Sequence, residues 1–346
     1  MRRRDFLRAA ALALPLSQVR AATSSPRLLI LGGTGFLGRH FAEEALGRGW
    51  RVTLVHLHAE RSDLVRGASH ILADRDRELP ATILAKDYDF VVDTSGQKPA
   101  WLKESSARLR DCRGYLFIST ISVYEHSRTG MHEDSALAPT EGVKVDSLEP
   151  GNYAARKILC ERALRSNLGE RALIFRPCVI AGPYDGTDRF TYWADRLRRP
   201  GPILAPVSRQ ETLQWIDARD LAIFGLECLQ GDLSGVYNVA GDSTTFGAFF
   251  KTLQEDYEAV WVREEFLNKS GVQPWSDLPL WVPGSSDNAG FSRVDNTRAR
   301  EAGLRLRPAR QTAMDTLGWR DQDKTPLRAG LSPQRESELL AAYENR

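Results

Sequence analysis

The chain is 346 residues long and 27% charged, with 47 basic against 45 acidic side chains for a formal net charge of +2. Residues 1–22 hold five of the basic and one of the acidic groups, so the remainder carries 42 against 44. That balance excludes a basic face for nucleic acid and a polybasic membrane patch, while the length suffices for one large α/β domain with a smaller appendage.

The first segment stands apart from the fold. Arg2-Arg3-Arg4-Asp5-Phe6-Leu7-Arg8 precedes the apolar run Ala9 to Leu16, which at about eight residues is far short of the roughly 20 that span a bilayer. It reads as a signal peptide over residues 1–22, with Ala21 and Ala22 at the cleavage point. The paired arginines before Phe6-Leu7 resemble a twin-arginine signal, which exports proteins already folded. Export to the periplasm is therefore expected; the alternative is a disordered basic N-terminus on a cytoplasmic protein. No later stretch reaches transmembrane length, so no membrane integration is expected.

Leu28 to Leu31 form a short apolar strand that runs into Gly32-Gly33-Thr34-Gly35-Phe36-Leu37-Gly38. Phe36 to Leu46 places Leu37, Phe41, Ala45 and Leu46 on one helical face before Gly47 and Gly49 stop it. Strand, glycine turn and helix in this order predict a dinucleotide site. Gly32 allows the turn, Gly35 lets the backbone approach a pyrophosphate, and Gly38 lets the helix pack on the strand. Thr34, Phe36 and Leu37 complete the cofactor-binding turn.

The second strand, Arg51 to His58, carries His56 where NAD enzymes usually have a carboxylate for the ribose hydroxyls. With no carboxylate to repel it, a 2′-phosphate is admitted, and His56, His58 or Arg61 is placed to face it; the cofactor expectation is NAD(P), leaning to NADP. Both histidines also fit exposed loop positions. Asp74 follows His70-Ile71-Leu72 at the end of a third strand, where it would meet an adenine amino group. Phe90 to Asp93 is a fourth strand turning through Thr94-Ser95-Gly96 close to the cofactor, Trp101 to Leu109 a helix, and Tyr115 to Ile118 a fifth strand ending at Thr120 and Ser122. Alternating strands and helices predict a Rossmann-type, doubly wound parallel sheet with ligands at the carboxyl ends of the strands.

Tyr153 and Lys157, four apart on a helix-favouring run, place a phenol and an ammonium on one face. A fixed cation lowers the phenol's pKa and makes it a usable base, and Thr120 supplies a hydroxyl to hold a substrate oxygen. Cys112, Cys160, Cys178 and Cys228 match no metal pattern and read as core thiols, an oxidised pair after export remaining open. No metal site is expected.

Taken together these motifs resemble an extended short-chain dehydrogenase/reductase of the NAD-dependent epimerase/dehydratase family. The matches are the glycine turn, Phe117 to Tyr124, Tyr153 to Lys157, Phe175-Arg176-Pro177 through Gly182-Pro183, and the stretches Trp215 to Ala222 and Val236 to Gly241. The resemblance implies hydride transfer at a hydroxyl-bearing carbon, with Tyr153 moving the proton, Lys157 also holding the nicotinamide ribose and Thr120 orienting the substrate.

Residues 27–180 are expected to form the NAD(P)-binding domain, and 181–346 a substrate-binding and cap region with returning strands near 212–241. Arg128 to Glu149 reads as a long loop bordering the cleft. Ser122, Arg189, Tyr192 and Trp193 are the candidate substrate contacts, and the stretch Gly271 to Pro283, with Trp275 and Trp281, suggests apolar pocket walls. Partners are limited to a small-molecule substrate, with a homodimer admitted. Export without a periplasmic NAD(P) pool favours a redox-neutral epimerase, isomerase or dehydratase that keeps its cofactor. The alternatives are an NADPH-dependent carbonyl reductase and a non-catalytic nucleotide-sensing or RNA-associated protein on the same fold.

Overall fold

In the computed structural model, residues 25–77, 79–84, 86–125, 130–144, 147–322 and 325–346 are described. The expected export signal at residues 1–22 lies outside them. Six strands, β1 (Arg27–Leu31), β2 (Arg51–His56), β3 (Ser69–Leu72), β4 (Phe90–Asp93), β5 (Gly114–Ile118) and β6 (Ala172–Pro177), join the later strand Gly235–Val239 in one sheet. All pairings are parallel, in the order Gly235–Val239, β6, β5, β4, β1, β2, β3. β4 and β6 are buried at every position, which a strand covered on both faces requires and which explains their near-continuous apolar sequence.

Helices α1 (Phe36–Gly47), α2 (Ala81–Leu84), α3 (Pro99–Arg108), α4 (Tyr153–Leu168), α5 (Arg189–Leu197) and α6 (Ala218–Gln230) follow in chain order. Phe41 of α1 and Phe224 of α6 pack on one face of the sheet, whereas Leu102 of α3 and Leu164 of α4 pack on the other. The fold is thus the expected doubly wound α/β sheet. β1 lies between β2 and β4, so that β2 and β3 extend the sheet to one side and β4 to β6 to the other, and a crevice opens at the carboxyl ends of the strands where the order reverses.

A second hydrophobic core gathers Phe190, Trp193, Phe246, Phe250, Trp281 and Tyr343 beside the sheet. It is anchored by a buried ion pair: Arg196 Nε donates to Glu336 Oε2 at 2.6 Å, and Glu336 Oε1 accepts from Leu204 N at 3.1 Å. The helix Pro333–Glu344 is thereby tied to α5 and to the strand Ile203–Pro206. The C-terminal region also holds the helices Phe246–Leu253, Thr297–Glu301 and Ala309–Arg320 and the strand Ala259–Val262, which pairs with Ile203–Pro206.

The described part of the expected loop is more fixed than its composition suggests. Glu125 N donates to Ala136 O and Ala138 N to Val123 O, both at 2.9 Å, and Met131 is buried. All four cysteines are free and buried, and burial pushes the Cys112 thiol up to about 11 and that of Cys160 up to about 12. Among the described residues no helix is long and apolar enough to cross a membrane, and no cluster of three metal-binding side chains occurs.

The tightest demand falls on Gly38. A Cβ there would sit 2.3 Å from Gly32 O and 2.9 Å from Gly33 Cα, backbone atoms that cannot move aside cheaply. Gly38→Ala is expected to cost about 1–3 kcal/mol through overpacking and to displace α1 from the turn. A thermal unfolding midpoint equal to that of the parent protein would refute this.

Candidate active site

A cleft of about 1110 Å³ runs along the carboxyl ends of the strands. The glycine turn forms one end. Gly32 has φ +88°, a left-handed conformation that glycine adopts freely, and Gly32 N donates to Val55 O at 2.9 Å. A side chain at Gly32 is barred by Thr94 Oγ1 and Ser95 Cβ, each 2.7 Å from an added Cβ. Gly35 faces the cleft with open space beyond the Gly32 carbonyl and caps α1 without a side chain, leaving the first-turn amides for a ligand. Thr34, Phe36 and Leu37 line the same end; Gly38 does not, and serves packing alone.

Thr94 and Ser95 also line the cleft, and Thr94 Oγ1 donates to Leu31 O at 3.1 Å. Ser95 belongs to a buried network that the sequence did not single out. Arg75 Nη1 donates to Asp93 Oδ1 at 2.7 Å and to Ser95 Oγ at 3.0 Å, and Tyr115 Oη donates to Asp93 Oδ2 at 3.1 Å. An aspartate closing an apolar strand was the available signal, because a buried carboxylate requires a partner. Asp74 lines the cleft beside Arg75, its Oδ1 accepting from Asp76 N at 2.9 Å.

His56 is at the cleft, yet it is not the free phosphate contact expected. Its Nδ1 is 3.0 Å from His58 O and its Nε2 is 3.0 Å from His70 Nδ1, so both ring nitrogens are engaged within the protein. Burial pushes its pKa below the usual histidine range, against the pull of the His58 carbonyl. His58 and Arg61 also line this end.

At the centre of the cleft the chain brings Thr120, Ser122, Tyr153 and Lys157 together. Thr120 leaves β5 in an extended conformation and caps a short 3-10 turn, its Oγ1 accepting from Ser122 N at 3.1 Å and donating to Ser122 Oγ at 3.2 Å. Tyr153 opens α4. Burial pushes its phenol pKa up, and the Thr120 hydroxyl and the positive charges of Arg156 and Arg189 pull it back.

Lys157 projects from α4 into this part of the cleft. Its Nζ donates to Gly96 O at 2.9 Å and Ile118 O at 2.8 Å, spending two of its three donors on the ends of β4 and β5 rather than on the phenol. Complete burial pushes its pKa down to about 8, with the nearby Cys160, Asp93 and Glu161 opposing.

The far wall is built from the segments around the second core. Arg189 lies there with its guanidinium 5.8 Å from the Trp275 ring and, among the described residues, no ion pair. Tyr192 and Trp193, expected as substrate contacts, do not reach the cleft. They are 1% and 0% exposed and belong to the second core, where Trp193 Nε1 donates to Pro279 O at 2.6 Å and its ring packs on Phe250. The start of α5 reaches the cleft and its body does not. Asp185 was missed: it lines the cleft, burial pushes its pKa up to about 6, and it accepts from Thr187 N at 2.8 Å and Thr187 Oγ1 at 3.0 Å.

A sequence model of the NAD dependent epimerase/dehydratase family matches residues 28–240, more than half of the chain. The chain belongs to that family. Solved structures similar to this epimerase/dehydratase chain include the Bordetella bronchiseptica enzyme WbmH in complex with NAD+, 14% identical with a TM-score of 0.62, covering 87% of this chain and 100% of that one. Another is UDP-glucuronic acid 4-epimerase from Bacillus cereus in complex with NAD, 14% identical with a TM-score of 0.61, covering 86% and 100%. At these identities the likeness is one of fold. The chloroplast stem-loop binding protein of 41 kDa b from Arabidopsis thaliana is 24% identical over 249 residues, 67% of this chain. The chain matches 63% of that relative's length, a little under two thirds.

Lys157 gives a stability test with a defined sign. Its folded pKa of about 8 lies below the ordinary 10.5, so the buried charge destabilises the fold fully below pH 8, by an amount on the order of 3 kcal/mol, and this penalty fades as pH rises toward 10.5. The stability of the parent protein relative to Lys157→Met is expected to increase across that window in denaturant titrations. A difference independent of pH would overturn the assignment.

Proposed function

We propose that this chain is a nicotinamide-dependent epimerase or dehydratase acting on a hydroxyl-bearing carbon of a small molecule. The observation that carries this reading is the placement of Thr120, Tyr153 and Lys157 on the wall of the cleft that the glycine turn closes. The turn from Gly32 to Leu37 would hold a pyrophosphate, Asp74 an adenine, and Thr94, Ser95 and Lys157 the nicotinamide half. When bound, the nicotinamide supplies a hydride acceptor and donor beside the substrate carbon.

The protein's own work is proton handling and orientation. Thr120, held by Ser122, fixes the substrate oxygen, and Tyr153 takes the hydroxyl proton and returns it. Lys157 contributes fixed positive charge and one remaining donor from its seat between two carbonyls. Arg189 and Ser122 contact the rest of the substrate. Residues 27–180 with the returning strand serve the cofactor and 181–346 the substrate. The absence of a carboxylate at the end of β2, with Arg61 beside it, keeps NADP the favoured form, although both similar structures above hold NAD. The stem-loop binding in the name of the chloroplast relative is not carried over, because the charge outside residues 1–22 is balanced.

The paired N-terminal arginines motivate a further part of the reading: export in the folded state with the cofactor already bound, and therefore a redox-neutral reaction. The carbonyl reductase remains the rival. Nucleotide released from protein purified without added cofactor is expected at close to one equivalent; an empty protein that consumes external NADPH would favour the reductase. Tyr153→Phe is expected to lower turnover about 10²- to 10⁴-fold with nucleotide content unchanged. Survival of activity in that variant would sink the assignment of the base.

A further inference from the structure

His56 and His70 are in direct contact through their ring nitrogens. Three polar contacts run in a line: His56 Nδ1 to His58 O at 3.0 Å, His56 Nε2 to His70 Nδ1 at 3.0 Å, and His70 Nε2 to Val65 O at 3.1 Å. The two end contacts fix the outer protons. A carbonyl only accepts, so His56 Nδ1 and His70 Nε2 must each carry hydrogen. A neutral imidazole has one N–H, and two neutral rings would then face each other through two lone pairs. At 3.0 Å that arrangement is repulsive; a hydrogen bond at this distance needs a third proton.

We propose that His56 and His70 share that third proton, so that the pair carries one positive charge at the end of β2 and sets the preference of the cleft for a cofactor bearing a 2′-phosphate. The proposal rests on the cleft being a nicotinamide dinucleotide site. The rings stand edge to face, 5.1 Å apart at 84°. His56 is 6% exposed and lines the cleft, so the charge lies under the adenosine-ribose end rather than in bulk water. Acting on His56 are His58 and Arg61 from the turn after β2 and His70 from β3, all of one sign; Glu60 lies 3.5 Å from His58 and offsets part of that charge. Burial and these neighbours act against a charge on His56; the hydrogen bond between the rings, which only the third proton can make, acts in its favour.

The direction with pH follows. Below the ionisation of the pair the charge is present and a 2′-phosphate is attracted. Above it the proton is lost, the facing lone pairs repel, and only Arg61 and His58 remain at that end. Because the 2′-phosphate itself gains a proton near pH 6, the comparison is made from pH 6.5 upward. NAD, lacking the phosphate, is the internal reference, and it cancels effects of Lys157 common to both cofactors.

The test is the ratio of dissociation constants for NADP and NAD, measured by calorimetry on the full chain freed of bound nucleotide, between pH 6.5 and 8.5. The ratio is expected to rise about fivefold over this range as NADP loses its advantage. In His70→Phe it is expected to stay flat at the high-pH value. A flat ratio in the parent protein, or a pH dependence that survives in His70→Phe and so belongs to His58, overturns the proposal. Should the variant not fold, the ring nitrogens of the parent protein, observed by nitrogen-15 spectroscopy at pH 6.5, decide: three N–H groups on the two rings are expected, and two overturn it. If neither nucleotide binds at any pH, the cofactor reading itself fails, and the proposal with it.

Discussion

The close approach of α1 to the end of β1 is the constraint on which the cleft depends. The backbone oxygen of Gly32 lies so near Gly38 that there is room for a hydrogen and nothing larger. This contact points the first turn of α1 along the crevice, and its uncapped amides therefore face the space between β1 and β4. Thr94 and Ser95 close over Gly32 from the neighbouring strand, so the turn is held from both sides. Other members of the site can be exchanged for groups of like chemistry; two backbones cannot be brought this close with any other residue.

The charges of the cleft are fixed by buried partners rather than by solvent. Arg75 is almost fully buried beneath the cleft, yet Asp93, Ser95 and the Trp101 carbonyl take its donors. Glu161 plays the same part behind the active-site strand, accepting from Ser119 Oγ at 2.5 Å and pairing with Arg176 at 2.7 Å. Paired charges of this kind contribute little net stability, and removing one partner is costly. Their service is positional: β4, β5 and α4 are locked together where Thr120, Tyr153 and Lys157 project.

Much of this was legible from the chain itself. Strand, glycine turn and helix can be read because the turn is local, and β4 and β5 because burial on both faces leaves apolar runs with little ambiguity. Thr120, Tyr153 and Lys157 were singled out by spacing and by likeness to a family, and all three line the cleft. What the sequence hid depends on contacts between distant residues. Arg75 and Asp93 are 18 positions apart, and no periodicity links them. The engagement of His56 by His70 arises from the pairing of β2 with β3, in which His56 lies opposite Leu72. Tyr192 and Trp193 look like pocket aromatics in a turn-rich stretch; only the second core shows that the body of α5 is turned inward. Asp185 was passed over because an Asp-Gly-Thr turn looks the same whether exposed or buried.

The two sides of the cleft rest on separate hydrophobic cores, one under the sheet and one around Trp193 and Trp281. Arg189 and Trp275 are carried on segments that lead into the second core, whereas the glycine turn and Thr120 are carried on the first. Sequence drift therefore meets unequal resistance across the molecule. The aromatic cluster behind the far wall contains no residue of the seven sheet strands, so that wall can change shape without disturbing the register that holds the glycine turn.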